Sequence, residues 1–336
     1  MRFSTFVVIL ATACDQDPLR GAGTGSEADG DADGDSDADG VPGSCAPPPT
    51  PAGADVVLAA PFDALYRAYD LGPVPGVPNP LGGTVVPTDD PDTLLVAGGS
   101  ESESGAIHRI GVIRDACGHI VGFDGQAAAV ASTPYVDANL VYVASDLMLY
   151  TEWPQYYLSQ LAGYANAPSL RTDLRALGMP SSDDQGPGGL GLVPASLPSA
   201  RELRLVTWPG GRWYHVDSVL DGGLASIDGL SQTATLPNEP GGFAYVPAGS
   251  PGFERQSVIV AEWRRQDPSA DRVAVYEVDD AGDPRLDTRR EFFARFPRPW
   301  GAYFEPVTGD YLFLSWGTGE DHVYIVQGFE PPEELF

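Results

Sequence analysis

The sequence predicts an all-β fold of the β-propeller type, with five four-stranded blades. A repeated pattern carries this prediction: a Gly is followed five residues later by a Pro and then by a strand that in three copies ends in Trp. The Gly/Pro pairs are Gly82/Pro87, Gly189/Pro194, Gly242/Pro247 and Gly301/Pro306. The last three glycines are 53 and 59 residues apart, and the first two are 107 apart, which leaves room for one degenerate copy. Repeats of about 50 residues made of strands and turns are typical of propeller blades.

The composition agrees with this architecture. The chain of 336 residues contains 40 Gly and 32 Pro, which favour short strands joined by turns over long helices. Hydrophobic residues make up 43% of the chain, enough for a sizeable core.

Each copy divides into strand segments rich in β-branched and aromatic residues, which Gly, Pro and Asp interrupt. The predicted segments are 84–86, 93–97, 106–114 and 119–130 in blade 1; 139–143, 147–153, 156–161 and 170–177 in the degenerate blade 2; 190–193, 203–208, 212–219 and 224–236 in blade 3; 243–246, 257–263, 272–278 and 286–296 in blade 4; and 302–305, 311–316 and 322–327 in blade 5.

Blade 5 lacks a fourth segment, and a spare strand over 64–72 precedes blade 1. We expect this strand to complete the last blade, because a ring that closes in this way leaves no open edge. Six blades would require a further copy before Gly82, where the residues after Pro51 are too few for both a blade and the closing strand. The predicted propeller domain covers residues 51–330, and an acidic tail follows over 331–336.

The first 50 residues predict export. Residues 1–13 combine Arg2, an apolar run and a small-residue cleavage site, as in a signal peptide. Cys14 follows directly, as in the lipidation motif of bacterial lipoproteins, although Ala11 stands where that motif has Leu. Ordinary cleavage that leaves a soluble protein is the alternative. Residues 14–50 form an Asp-, Gly- and Pro-rich linker with too little apolar surface to fold.

Two cysteines remain if Cys14 carries a lipid. In an oxidising compartment Cys45 and Cys117 are expected to form a disulfide that fastens the start of the domain to blade 1. Two free thiols are the alternative.

The formal net charge is −28, and all 19 basic residues are Arg. A surface this acidic repels nucleic acid and anionic membranes, so we expect contact with a membrane through the lipid anchor only. Cations and basic partners remain open. We expect a monomer in the cell envelope, or secreted from the cell.

Four tryptophans occupy the same place in successive blades, at the end of the second strand. They are Trp153, Trp208, Trp263 and Trp316. One interpretation is packing between twisted sheets, and the other is an aromatic collar at one mouth of the channel that stacks on a sugar or a peptide. Glu152 and Glu262 precede two of these tryptophans, and alternation puts them on the opposite face, as an acidic patch or as solvated strand ends.

The segments 241–251, 258–263, 273–284 and 304–313 resemble secreted bacterial β-propellers of the NHL and lactonase-like kind. The resemblance covers about residues 60–330. It implies a propeller fold and, from the lactonase-type relatives, a divalent metal held in the central channel by Glu, Asn and Asp side chains. Asp137, Asn139 and Glu305 are the residues of the first strands that match, with Ca²⁺ or Mg²⁺ as the ion.

Two functional hypotheses follow. The first is an exported, lipid-anchored propeller that binds a protein, peptide or glycan at the cell surface and has no catalytic residues and no cofactor. The second is a metal-dependent hydrolase or lactonase with its site in the channel. The sequence contains no nucleophile elbow and no nucleotide-binding fingerprint, and its four histidines lack metal-ligand spacing.

Overall fold

The computed structural model describes residues 45, 50–163, 165–182 and 185–333. It confirms the prediction of a propeller with five blades of four antiparallel strands. The signal peptide, the lipidation site Cys14 and most of the linker lie outside the described residues. Among the residues described, no helix is long and apolar enough to cross a membrane.

In each blade the strands follow one another from the channel outward. Blade 1 contains β3 (Leu81–Val85), β4 (Thr93–Gly98), β5 (Ala106–Arg114) and β6 (Ile120–Ser132), and blade 2 contains β7 (Val136–Ala144), β8 (Leu147–Glu152), β9 (Tyr157–Ala162) and β10 (Leu170–Asp173). Blade 3 contains β11 (Gln185–Leu192), β12 (Leu203–Pro209), β13 (Arg212–Asp221) and β14 (Leu224–Thr235). Blade 4 contains β15 (Pro240–Tyr245), β16 (Ser257–Glu262), β17 (Arg272–Glu277) and β18 (Arg290–Arg295), and blade 5 contains β19 (Pro299–Phe304), β20 (Tyr311–Ser315) and β21 (Val323–Gln327).

The predicted closing strand is confirmed. β2 (Arg67–Gly72) pairs antiparallel with β21 and supplies the fourth strand of blade 5, with Tyr69 opposite Ile325. A further short strand, β1 (Val57–Leu58), which the sequence did not indicate, pairs with the outer edge of β18. The segment before blade 1 therefore fastens the last two blades together.

The repeated glycines are explained by the convergence of the inner strands. A Cβ atom on Gly189 would lie 2.5 Å from the carbonyl oxygen of Gly241, and one on Gly242 would lie 2.4 Å from that of Trp300. Gly82 and Gly301 have similar contacts with the backbone of the neighbouring inner strand. Each glycine therefore lets one inner strand approach the next without a steric clash.

The hydrophobic core is distributed between the blades. One buried cluster fills each of the five blade interfaces, and the cluster between blades 4 and 5 is the richest in aromatic residues. It includes Phe292, Phe293, Tyr311 and Phe313, together with Tyr66 from the segment that precedes β2. This arrangement is expected from twisted sheets that pack face to face.

Two predicted strands are shorter than the sequence indicated. Leu174–Leu177 and Leu286–Thr288 are short 3-10 helices. In the first, the Asp173 side chain accepts a hydrogen bond from Arg175 N, and Gly178 ends the turn in the left-handed conformation. This capping competes with strand pairing in a segment whose apolar residues resemble those of a strand.

The structure contains the disulfide between Cys45 and Cys117, whose Cα atoms are 5.3 Å apart. Cys117 lies in the turn between β5 and β6, where the Asp115 side chain accepts hydrogen bonds from the backbone of Cys117 and His119. The bridge therefore links the chain before the propeller to blade 1.

Candidate functional site

The channel has two ends. We call the end that carries the cluster of Trp153, Trp208, Trp263, Trp300 and Trp316 the tryptophan face, and the end that opens into a large cavity the cavity face. At the tryptophan face the inner strands begin, and the second strands end beside them: Pro240 pairs with Glu262, and Pro299 pairs with Ser315. At the cavity face the inner strands end and turn into the second strands. The residues predicted for the channel are distributed between these two faces.

Asn139 lies at the axis and joins three other blades. Its Nδ2 donates hydrogen bonds to the carbonyl oxygens of Ala302, at 2.9 Å, and Phe243, at 3.3 Å. Its Oδ1 accepts hydrogen bonds from the backbone N–H groups of Leu190 and Phe243, at 3.3 and 3.2 Å. The amide thus uses both hydrogens and both lone pairs on the backbone of blades 3, 4 and 5. Asn139 crosslinks the inner strands, and no part of its amide remains for a metal ion.

Asp137 lies closer to the tryptophan face, fully buried. Among the described residues, neither of its carboxylate oxygens accepts a well-aligned hydrogen bond, although the Trp300 indole N–H and the Ala138 backbone N–H lie near enough to oppose the rise of its pKa. Burial raises the pKa of Asp137 well above its ordinary value, and the nearby Glu101 carboxylate raises it further. Burial also raises the pKa of Glu101, to about 8. The two carboxyl groups form a pair that sequence reasoning did not identify, because Glu101 lies in the turn after β4 and outside the inner strands.

Glu305 lies at the opposite end of the channel, directly after β19. Its carboxylate accepts hydrogen bonds from the backbone N–H groups of Val307 and Thr308 and from the Thr308 hydroxyl. Arg114 of blade 1 donates to it at 3.1 Å. The structure therefore does not bring Glu305 together with Asp137 and Asn139, and it gives each of the three side chains a separate environment.

A second buried acid accompanies Glu305 on the same turn. Asp310 Oδ1 lies 2.8 Å from Nδ1 of His119. Burial raises the pKa of Asp310 to about 6, against the opposing effect of His119. These contacts hold the β19–β20 turn of blade 5 against the β5–β6 turn of blade 1.

The four predicted tryptophans meet in one cluster at the tryptophan face, around Trp300 from β19. Trp208 and Trp263 are stacked with their ring centroids 4.7 Å apart, and Trp300 meets both edge-on. Trp153 packs edge-on against Trp208, and Trp316 packs against Trp263.

Burial distinguishes the two interpretations of this cluster. Trp208, Trp263 and Trp300 are buried, and Trp300 is fully so, while the two outer rings are half-buried. Most of the aromatic surface is therefore used for packing. The sequence analysis did not identify Trp300, because Trp300 belongs to an inner strand and the predicted tryptophans end second strands. Trp300 precedes Gly301 as Asp137 precedes Ala138. An alignment of the inner strands would have shown this equivalence.

Glu152 and Glu262 are neither an acidic patch nor solvated, because both are buried. Arg289 donates two hydrogen bonds to Glu262, at 2.5 and 3.0 Å, and the Tyr276 hydroxyl donates a third, at 2.7 Å. Arg171 forms the corresponding two-point ion pair with Glu152. Each glutamate therefore ties the end of a second strand to the outer part of its own blade.

The cavity face contains a cavity of about 1290 Å³. It begins at the axis beside Asn139 and extends outward between blades 1 and 2. Its walls are mainly apolar and aromatic, and the aromatic side chains are those of Tyr142, Phe243, Tyr245, Tyr303 and Phe304. Its rim includes Thr88, Asp89, Arg109, Ser145, Asp146 and Pro332.

The cavity was not predicted from the sequence, because its walls come from the ends of all five inner strands and from one blade interface. These residues are apolar positions of ordinary strands, and only closure of the ring brings them around one space. The fold and the site together define the class of protein: a five-bladed β-propeller whose channel is closed near one face and open to a cavity at the other.

No protein-family model and no curated protein matches the chain. Solved structures do align with it. A gluconolactonase from Xanthomonas campestris is 12% identical over 85% of this chain and 90% of that one, with a TM-score of 0.45. A PQQ-bound aldose sugar dehydrogenase from Streptomyces coelicolor is 11% identical over 84% and 97%, with a TM-score of 0.42.

A fructofuranosidase from Schwanniomyces occidentalis in complex with fructose is 9% identical over 76% of this chain and 57% of that one, with a TM-score of 0.47. These values are too low to assign a reaction or a substrate to this chain.

Proposed function

We propose that the protein is a ligand-binding propeller and that the cavity is its binding site. The cavity itself carries this proposal. Its volume of about 1290 Å³ is sufficient for a small organic molecule, and apolar walls with a few polar groups at the rim are the usual composition of such sites. Binding is favoured over reaction because Asn139 and Glu305, two polar groups of the channel, are already occupied by the protein's own backbone and side chains.

The test is binding of dansylamide, a neutral fluorescent probe whose emission increases in apolar surroundings. The variant Ala165→Trp places a large ring at the wall of the cavity, in the loop that follows β9. It is expected to weaken probe binding about tenfold, because the ring occupies volume that the probe needs. Ala167→Trp is the matched control, since this exposed residue of the same loop does not line the cavity.

Equal binding by both variants and the unchanged protein would contradict the proposal, and so would the absence of probe binding to the unchanged protein. Unfolding midpoints of the two variants show whether a change in affinity reflects a change in folding.

A metal-dependent hydrolase is the second candidate, and Asp137 favours it. A fully buried carboxylate without a well-aligned hydrogen bond among the described residues is costly unless it is protonated or neutralised by a cation. Glu101 and the unpartnered Ser100 hydroxyl near the same end of the channel are the further oxygen donors. Oxygen donors are the ligands that Ca²⁺ and Mg²⁺ prefer, and a bound ion would polarise a substrate carbonyl.

The donor set is small for such a site. No group of three or more His, Cys, Asp or Glu side chains within the described ranges is arranged to hold a metal ion. The hydrolase interpretation predicts one divalent ion per chain after exhaustive dialysis, measured by elemental analysis. Asp137→Asn would lose the ion and Glu305→Gln would keep it, because Glu305 lies at the other face. A metal-free dialysed protein would remove this candidate.

The cellular setting also belongs to the proposal. Export and lipidation at Cys14 would place the binding site in the cell envelope, and the acidic linker would hold it away from the membrane. Labelling with palmitate tests the anchor. We expect incorporation into the unchanged protein and none into Cys14→Ser; label that persists in the variant would contradict lipidation at this residue.

A further inference from the structure

The cavity continues from the channel axis into the interface between blades 1 and 2, and we call this part of it the arm. All four strands of blade 1 line the arm, through Val85, Leu95, Ile107 and Ala131. Neighbouring strands of a sheet lie about 4.8 Å apart, so the three spacings from β3 to β6 give the arm a length of about 14 Å. The arm therefore crosses a whole blade, and an elongated group fits it better than a compact one.

Blade 2 forms the opposite wall of the arm with apolar side chains. These side chains are Leu140, Met148, Leu161 and Ala165. The buried cluster between blades 1 and 2 includes two alanines, Ala97 and Ala131. The cluster between blades 4 and 5 includes Phe292, Phe293 and Phe313. Alanines leave space between two sheets that larger side chains would fill, and an apolar occupant restores the packing contacts that this space costs.

The polar groups around the cavity are already bonded within the protein. The amide of Asn139 bonds to the backbone of three blades, and the Tyr245 hydroxyl donates a hydrogen bond of 2.7 Å to the carbonyl oxygen of Gly282. No buried polar side-chain atom of the described residues that line the cavity lacks a partner. A charged group of a ligand would therefore lose its hydration inside the cavity without gaining a hydrogen bond.

We propose that the ligand of this cavity carries an alkyl chain and that this chain occupies the arm. The inference rests on the proposed binding function and adds the chemical class of the ligand. The chain matches the arm in shape and in apolar surface, and the polar end of the ligand remains at the rim, where Thr88 and Ser145 are exposed to water. A free amphiphile and the acyl chain of a lipid both have this chemistry.

The dependence of affinity on chain length tests the inference. Isothermal titration calorimetry measures binding of 1-butanol, 1-hexanol and 1-octanol, and of lysophosphatidylcholines with hexanoyl and octanoyl chains. We expect the affinity to rise about fourfold with each added methylene group, because each one is buried in the arm. A rise among the alkanols alone supports a free amphiphile as the source of the chain, and a rise in both series supports a lipid.

Ala131→Phe shortens the arm. Ala131 is buried on β6 and lines the cavity, so the larger ring takes the space of about two methylene groups, and we expect the ratio of the 1-octanol affinity to the 1-butanol affinity to fall about tenfold. Ala129→Phe is the matched control, since this exposed residue of the same strand does not line the cavity. Ala165→Phe makes the same test from the opposite wall, in a loop, and unfolding midpoints identify any variant that fails to fold.

An affinity that does not change with chain length would overturn the inference. The same chain-length dependence in the folded Ala131→Phe and Ala165→Phe variants as in the unchanged protein would overturn it too. Dansylamide separates this failure from failure of the binding function. Binding of dansylamide without any dependence on alkanol chain length would leave the binding function intact, whereas a protein that binds neither dansylamide nor any alkanol would reject both.

Discussion

At the scale of single residues, Asn139 shows how one side chain connects the inner strands in the blade that lacks the repeated glycine. The other inner strands have Gly at the position of Ala138, and Gly83, Leu190, Phe243 and Ala302 occupy the position of Asn139. Its amide bonds to the backbone of the last three of these residues. The copy that the sequence shows as degenerate is therefore the one that supplies the central polar crosslink of the ring.

Removing this amide is expected to be costly. Asn139→Ala breaks hydrogen bonds to three blades and leaves buried backbone groups without partners, so we expect a loss of about 3 kcal/mol in the free energy of unfolding. Urea unfolding measures it. Asn166→Ala, at an exposed position, is expected to change stability by less than about 0.5 kcal/mol. Similar small effects in both variants would show that the crosslink is not stabilising.

Asp271 makes the stability depend on pH. Its carboxylate is buried and accepts hydrogen bonds from the backbone N–H groups of Arg264, at 2.8 Å, and Arg298, at 3.1 Å. Burial raises its pKa from 3.8 to about 6, against the smaller effects of these donors. The folded protein therefore binds a proton on Asp271 more tightly than the unfolded chain does. This contribution to stability is present below about pH 4 and is lost as the pH rises through about 6.

We expect Asp271→Asn to become more stable relative to the unchanged protein as the pH rises from 4 to 7, by up to about 3 kcal/mol. The measurement is the difference in unfolding free energy between the two proteins at each pH. A difference that stays constant across this range would contradict a raised pKa.

At the scale of elements, a polar contact joins the end of the second strand to the following strands in four blades, and in two of these blades the contact is a buried ion pair. Glu262 with Arg289 in blade 4, and Glu152 with Arg171 in blade 2, occupy equivalent places. In blades 3 and 5 the hydroxyls of Thr207 and Ser315 accept hydrogen bonds from the backbone N–H groups of Arg212 and His322. The sequence shows these equivalent positions but not their partners.

Arg289→Met tests this fastening. The variant leaves the Glu262 carboxylate buried without its cation, and such uncompensated charges cost about 3–5 kcal/mol. The control is Arg175→Met, which removes the exposed pair between Arg175 and Asp173 and should cost less than about 1 kcal/mol. Chemical unfolding of both variants gives the comparison, and equal costs would show that burial of Glu262 does not matter.

At the scale of the whole molecule, the ring depends on a strand from the opposite end of the chain. The carbonyl oxygen of Ala68 and the N–H of Asp70 bond to residues 50–52 on the outer side of β2. The N–H of Tyr69 therefore faces β21, because the backbone groups of successive residues in a strand point in opposite directions. Pairing of Tyr69 with β21 is thus part of the closure.

We expect Tyr69→Pro to open the ring. The substitution removes the N–H that faces β21 and should cost about 3 kcal/mol more than Tyr69→Ala, which removes only the side chain. The exposed edge of β21 should also promote association, measured by size-exclusion chromatography. If the Pro and Ala variants are equally stable and elute from the column at the same volume as the unchanged protein, closure by β2 does not limit stability.

The sequence by itself determined the propeller, its five blades and the strand that closes it. The glycines recur at the positions where the inner strands converge. Blade 5 lacks a fourth strand, and the segment before blade 1 is the one strand not used by another blade. Both signals can be read from short segments of the sequence. Only the tertiary structure decided where the channel residues lie. Asp137 and Glu305 are both at ends of inner strands, but at opposite ends; Glu305 accepts a hydrogen bond from Arg114 of blade 1, whereas Asp137 is buried near a second carboxylate, Glu101. The cavity likewise exists only after closure, because its walls are single residues contributed by segments far apart in the chain.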